Sequence, residues 1–258
     1  MKLLILLPSK GRPTQLQALT GSWLFEQGLD CKILVEPQDA LAYGAIAPPG
    51  SILELTDDNR GTEFALFHGK QYALKNGYDV IFKIDDDIKG WSTMDKKDKK
   101  TSAERFKQLL EDVVKPLENP NCAGISFGYR QEFWHDKKWF GVNHRFQTCY
   151  LVKTEHFQPR LFEKGEKTDD PWEDFCNFLR VIKDGHKVLR YGRYTMDTDV
   201  GTGDGGLQDW YRNQTPERYK ELIEIVRKEF PWLPFRKKPD GRIEPDFNCP
   251  AVNGKKLP

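Results

Sequence analysis

The sequence predicts an α/β protein with a mostly parallel sheet covered by helices on both faces. Two observations carry that expectation. Short apolar runs alternate with amphipathic segments through the first third of the chain, and charged loops follow directly on the ends of apolar runs. Alternating strands and helices imply crossover connections, which leave neighbouring strands parallel. Such sheets take ligands in the crevice beyond the carboxyl ends of their strands, so those charged loops should face one crevice.

Leu3 to Leu7 reads as a buried strand, and the loop Pro8-Ser9-Lys10-Gly11-Arg12 follows it. Thr14 is expected to cap a helix that carries Leu16, Leu19 and Trp23 on one face and stops at Gly28. Lys32 to Val35 is a second strand; Pro48-Pro49-Gly50 is a turn, and Ser51 to Leu55 a third strand. Phe64, Phe67 and Leu74 recur at helical spacing between Gly61 and Asn76, and Gly77 ends that helix. Tyr78 to Ile84 is a fourth strand that runs straight into Asp85-Asp86-Asp87. Thr101 and Glu104 form a capping box for a helix with Phe106, Leu109, Leu110 and Val113, which Pro116 should stop. Ala123 to Phe127, Cys149 to Val152 and Lys187 to Tyr191 read as strands, with a helix over Glu173 to Lys183. Thr215-Pro216 opens a last helix with Tyr219, Leu222, Ile223 and Val226 inward. The stretch from Phe230 onward is rich in Pro, Lys and Arg and is expected to be irregular.

The 258 residues suffice to bury a sizeable core. A formal net charge of +1 does not describe a strongly basic nucleic-acid binder, though a local basic face would be hidden in that sum. Met1 to Leu7 is too short for a signal peptide, and Pro8 to Pro13 stands where a cleavage site would be. No run approaches the about 20 apolar residues of a membrane span. The five cysteines are scattered, without a C-x-x-C pair, which argues against a disulfide framework or zinc site and for a reducing, cytoplasmic compartment.

Three adjacent carboxylates repel one another unless a cation or strong donors sit among them. Alternate side chains of an extended segment point the same way, so Asp85 and Asp87 can converge on one ion while Asp86 turns aside. Oxygen ligands suit Mg²⁺ or Mn²⁺, with coordination positions left for diphosphate oxygens. A solvated acidic turn is the plainer reading of the same residues. Lys10 and Arg12 lie beside the expected crevice, and Asn59-Arg60-Gly61 opens a helix whose N–H groups favour anions. A second acidic cluster, Thr168-Asp169-Asp170-Pro171-Trp172-Glu173-Asp174, starts an amphipathic helix. The helix dipole accounts for some of those acids. Asp174, with Glu173 behind it, is the candidate base that takes a proton from an acceptor hydroxyl.

Taken in order, the Pro-Ser-Lys-Gly-Arg-Pro loop, the Arg-Gly helix, Ile-Asp-Asp-Asp-Ile and the late Trp-Glu-Asp resemble the GT-A glycosyltransferases. The resemblance covers about Lys2 to Tyr191. It implies a Rossmann-like, mostly parallel central sheet flanked by helices, in a single domain over 1–230 with an irregular extension over 231–258. It implies that Asp85 and Asp87 hold Mn²⁺ or Mg²⁺ on the diphosphate of a nucleotide-sugar, a UDP-sugar being the expected donor. Pro8, Ser9, Lys10 and Arg12, with Arg60 and Asp86, would lie against that donor, and the Glu173-Asp174 pair would supply the base of an inverting enzyme. The opening Leu-Pro-Ser-Lys-Gly-Arg-Pro and the late Gly205-Gly206-Leu207-Gln208 are most similar to small phage glycosyltransferases of the TET-associated type, which act on hydroxymethylated DNA bases. The implied partner is double-stranded DNA, and the implied location, for a phage protein, the host cytoplasm.

Lys96-Lys97-Asp98-Lys99-Lys100, Lys137-Lys138 and Arg236-Lys237-Lys238 offer a positive face for DNA, or are solvated surface. Trp134, Trp139 and Phe140 could stack on a base or sugar, or be core aromatics. Gly201 to Gly206 fits G-x-G-x-x-G, but it comes too late in the chain for a dinucleotide fingerprint and reads as a loop over the acceptor. Asp197 and Asp199 just before it are candidate extra ligands or acceptor contacts, with solvated loop acids the default. Three other readings stand beside this one: a glycosyltransferase acting on a glycan or small molecule, a sugar nucleotidyltransferase, and a non-catalytic nucleotide-sugar binding module.

Overall fold

The computed structural model describes residues 1–95, 98–130, 140–160, 172–198, 215–238 and 243–246. The amino-terminal half runs β1 (Leu3–Pro8), α1 (Pro13–Ala18), α2 (Thr20–Leu24), β2 (Cys31–Val35), α3 (Ala40–Gly44), β3 (Ile52–Glu54), α4 (Thr62–Lys75), β4 (Val80–Lys83) and β5 (Ile88–Thr93). Then follow α5 (Ser102–Glu118), β6 (Cys122–Tyr129), β7 (Phe140–Val142), β8 (Tyr150–Lys153), α6 (Glu173–Lys183), β9 (Lys187–Thr198), α7 (Pro216–Glu229), β10 (Phe235–Lys237) and β11 (Ile243–Pro245).

Nine strands form one sheet in the order β3-β2-β1-β4-β8-β6-β9-β5, with β7 also paired to β9. Strands β1 to β4, β6 and β9 run one way, and β5, β7 and β8 run against them. The sheet is therefore mostly parallel, as expected, with β8 inserted antiparallel between β4 and β6. Along β9, residues Lys187 to Arg190 pair with the first half of β6, and Tyr194 to Thr198 pair with β5. A register shift between Ser126 and Gly128 of β6 marks the change. The chain thus leaves the middle of the sheet at β4 and reappears at its far edge as β5, and the acidic triplet is the crossing.

Alternation along β1 sorts the core onto two faces. Leu4 and Leu6 join Phe64 and Leu66 of α4, Phe175, Phe178 and Leu179 of α6, and Leu222, Ile223 and Val226 of α7. Ile5 and Leu7 join Leu16, Trp23, Trp91, Phe106, Leu109 and Val113 on the other. Leu4 to Leu7 are all fully buried, which is why this strand reads as a continuous apolar run. Each such side chain contributes roughly 1.5–3 kcal/mol. Among the described residues no helix is long and apolar enough to cross a membrane.

Several local expectations are corrected. The first helix starts at Pro13, not at a Thr14 cap, because proline's fixed φ and missing N–H suit the first helical position. It also breaks at Leu19 into α1 and α2 before Gly28 (φ 65°) ends the segment. Pro116 does not stop α5, which continues to Glu118. Leu117 is 1% exposed, and burying it outweighs the one helical hydrogen bond that proline removes. The tail is not wholly irregular: β10 and β11 pair antiparallel, fastened by Arg236 on Glu244 at 2.7 Å. Phe230 and Leu233 belong to the core that α6 and α7 share.

Candidate active site

The loop after β1 is held by a buried polar chain. Ser9 is hydrogen-bonded to the Tyr43 hydroxyl on α3 at 2.6 Å and donates to Asp86. Arg12 closes on the same carboxylate at 2.6 Å, and its backbone N–H donates to Tyr43 at 2.9 Å. Gly11, at φ 65°, allows the tight bend, and its N–H donates to Asp39. Asp86 is 0% exposed, with one oxygen on Ser9 and the other on Arg12. Burial pushes its carboxyl up, against the pull of Arg12 and Ser9. Asp86 turns aside from its neighbours and is enclosed between Ser9 and Arg12, so it ties the turn to the first loop.

The backbone of the acidic turn is pinned from two sides. The Thr20 hydroxyl donates to the Asp85 carbonyl at 2.7 Å and accepts from the Ile88 N–H at 2.9 Å. Trp23 Nε1 donates to the Ile88 carbonyl at 2.9 Å, and Thr198 Oγ1 to the Asp87 carbonyl at 3.2 Å. These bonds fix the turn through its backbone and Thr20, without using the carboxylates of Asp85 and Asp87.

Lys83, two residues before Asp85 and on the same side of the strand, joins the two acidic clusters. Its Nζ lies 2.7 Å from Asp85, 3.0 Å from Asp174 and 4.0 Å from Glu173. Asp174 reaches it from the first turn of α6, 91 residues along the chain. The lysine side chain is 1% exposed. Burial alone would lower its pKa, but Asp174, Asp85 and Glu173 together hold it well above its ordinary value, so it is an ammonium. Asp174 keeps 21% of its side chain exposed against 5% for Glu173, so Asp174 is the acid of the pair that can meet an acceptor.

Asp87 behaves differently. Its Oδ1 is buried without a hydrogen-bond partner among the described residues. Its carboxyl is pushed up to about 7, first by burial and then by Asp85 and Asp86. An ionised carboxylate here needs a cation, and its oxygen donors are hard, so Asp85 and Asp87 fit Mn²⁺ or Mg²⁺. Among the described residues no three His, Cys, Asp or Glu side chains group as a complete site, so other oxygens would have to fill the shell.

On the other side of the turn, Tyr129 at the end of β6 is hydrogen-bonded to Thr148. Burial raises its phenol, and Asp85 and Asp174 add to that, which places it in the field of both clusters. Asp197 accepts from Ser92 and lies 3.6 Å from Arg130, so it is a paired group rather than a free loop acid.

The remaining expected residues are scattered around the crevice. Lys10 donates to Glu36 at 3.0 Å and Asn59 at 2.6 Å, with 46% of its side chain exposed. Arg60 pairs with Asp57 at 3.4 Å and lies over the Phe64 ring. Arg236 and Lys238 are both taken up by Glu244, which weakens that cluster as a positive face. Phe140 is 58% exposed on β7 with its ring against Tyr191. Lys96, Lys97, Trp134, Lys137, Lys138, Trp139, Asp169, Asp170, Asp199 and the 201–208 loop lie outside the described residues.

Sequence reasoning missed Lys83, Tyr43, Thr20 and Thr198. Only Lys83 left a signal, a charge inside the apolar run Val80-Ile81-Phe82-Lys83-Ile84.

Comparison with curated proteins returns no match. Among solved structures, the catalytic domain of Drosophila β1,4-galactosyltransferase 7 in complex with xylobiose is 15% identical, covers 98% of each chain and has a TM-score of 0.46. UDP-glucose pyrophosphorylase complexed with UDP-glucose is 12% identical, covering 89% of this chain and 100% of its own at a TM-score of 0.46. CMP:2-keto-3-deoxy-manno-octonic acid synthetase complexed with CTP is also 12% identical, with the same coverage and a TM-score of 0.45. Likenesses at this level carry nothing about substrate or reaction. The model of the TET-associated glycosyltransferase family matches residues 3–206, a span that takes in the Pro8–Arg12 loop, the acidic triplet and the Glu173-Asp174 pair. On that match the chain belongs to the TET-associated glycosyltransferases, and it is a glycosyltransferase.

Proposed function

We propose that the enzyme moves a sugar from a nucleoside-diphosphate donor, a UDP-sugar first, to the hydroxyl of a 5-hydroxymethylpyrimidine in double-stranded phage DNA. The observation that carries the reading is the meeting of the two acidic clusters at Lys83, with Asp85 at 2.7 Å and Asp174 at 3.0 Å. A donor-side carboxylate and an acceptor-side carboxylate then share one wall of one crevice. The DNA acceptor rests on the resemblance to phage enzymes and on the family's TET association. The catalytic unit is residues 1–230, with β10 set against it through Phe235 and Trp172.

Asp85 and Asp87 would hold a divalent cation, Mn²⁺ or Mg²⁺, which would supply charge neutralisation for the departing diphosphate. Lys10 is half exposed and can swing from Glu36 to a phosphate oxygen, while Arg12 is committed to Asp86 and keeps the loop in shape. Arg60 stands at the amino end of α4, beside N–H groups that favour an anion. Asp174 accepts the proton of the acceptor hydroxyl as it attacks with inversion, and Glu173 stays buried behind it.

Nucleoside-diphosphate release from a panel of nucleotide-sugars with Mn²⁺ tests this, with and without hydroxymethylcytosine DNA. Release from one donor that needs the DNA is the expected result. Release that ignores DNA would remove the acceptor and point to a glycan or small molecule. Asp174→Asn should lower turnover by about 10²–10⁴ at saturating Mn²⁺, where donor binding is kept. Near-normal turnover in that variant would remove Asp174 as the base.

A further inference from the structure

Lys83 is absent from the chemistry just described, yet it is a charge buried almost completely. An ammonium with 1% exposure is held by carboxylates from two distant segments and by the face of the Tyr150 ring at 5.6 Å. Removing an ion from water costs several kcal/mol, so such a lysine persists only where its partners need it. Its nearest partner, Asp85, is one of the two carboxylates assigned to the divalent cation. Its second partner, Asp174, is assigned to the acceptor.

We propose that Lys83 is a positioning residue and an internal rival of the divalent cation, linking the donor side of the site to the acceptor side. With Asp85 free of a cation, the ammonium is shared between Asp85 and Asp174. Once Asp85 turns to a divalent cation, repulsion between like charges drives the ammonium toward Asp174 and Glu173, and it orients Asp174 for the acceptor. The distances allow this without backbone movement, because both sets of oxygens already lie within 4.0 Å of Nζ. This rests on the reading that Asp85 is a cation ligand.

The linkage predicts effects of opposite sign. Lys83→Met removes the rival, so Mn²⁺ should bind about fivefold or more tightly while kcat falls and the donor KM changes little. Lys83→Arg, which keeps the charge, should return Mn²⁺ affinity toward wild type and recover part of kcat. Asp174→Asn frees Lys83 to grip Asp85, so it should weaken Mn²⁺ binding about fivefold although Asp174 is no ligand. That weakening should shrink sharply in the Lys83→Met background.

Mn²⁺ binding to the full chain without donor, followed by titration calorimetry or the signal of free Mn²⁺, reads all of this independently of turnover. Should Lys83→Met fail to fold, wild type against Asp174→Asn still tests the sign. Unchanged or weaker Mn²⁺ binding in a folded Lys83→Met would overturn the proposal. So would an equal Asp174→Asn effect in both backgrounds, which would mean plain through-space attraction. If Mn²⁺ does not bind wild type, or binds Asp85→Ala equally well, the cation assignment fails and the rivalry fails with it. If Asp85→Ala abolishes binding but Lys83→Met leaves it unchanged, only the rivalry fails.

Discussion

The two charged walls of the crevice are closed in different ways. Behind the Pro8–Arg12 loop, Arg12 meets Asp86 and Lys10 meets Glu36, so each cation has its own carboxylate. Around Lys83, the carboxylates of Asp85, Glu173 and Asp174 share one ammonium, and Asp87 Oδ1 has no hydrogen-bond partner among the described residues. The first arrangement is a neutral brace, stable as it stands. The second gathers three carboxylates about one buried ammonium and leaves an Asp87 oxygen buried without a hydrogen bond among the described residues. The difference separates residues that build the crevice from residues that wait for something to enter it.

The brace can be broken most severely at its buried pair. Arg12→Ala leaves Asp86 enclosed without its cation and should cost about 3 kcal/mol in urea unfolding. Adding Asp86→Asn should recover part of that loss. A cost below about 1 kcal/mol for Arg12→Ala would mean the loop is not held this way.

The unsatisfied wall should show itself through pH. Asp87 has its folded-state carboxyl raised from 3.8 to about 7, so it favours the folded state fully below pH 4 and loses that contribution as pH rises through about 7. Without divalent cation, stability should therefore decline over that window, by about 2–4 kcal/mol at most. Asp87→Asn should flatten the decline, and thermal melts of both proteins from pH 4 to 8 check it. An unchanged profile in Asp87→Asn would place the titrating group elsewhere.

The smallest effect is expected outside both walls. Arg236 is half exposed and shares Glu244 with Lys238, so Arg236→Ala should change stability by less than about 1 kcal/mol. A larger loss would mean that β10 and β11 brace α6 through Phe235 and Trp172 more firmly than a surface pair allows.

Much of the architecture was legible because it depends on local pattern. Leu4 to Leu7 are buried on both faces, Thr101 and Glu104 do cap α5, and Gly77 does follow α4 at φ 68°. Strand β5 was not legible. Lys89 and Gly90 interrupt its apolar pattern, and it is a strand because β9 offers an edge from Tyr194 to Thr198. The longer extent of β9 had the same cause. At the site, residue types near strand ends were readable, and the partners of those residues were not. Nothing local says that Asp86 belongs to Arg12, that Tyr43 closes the first loop, or that Lys83 faces α6. Those pairings are made by the sheet order, which no single stretch of chain contains.

The bonds that pin the acidic turn also set a timetable. Thr20 lies 65 residues before its partner Asp85, and Thr198 lies 111 residues after its partner Asp87. A ribosome therefore releases the turn after Thr20 has been made and before Thr198 has been synthesised. Until β9 emerges and docks, the nascent chain carries the acidic motif but not its finished shape, and the same holds for any fragment cut before Thr198.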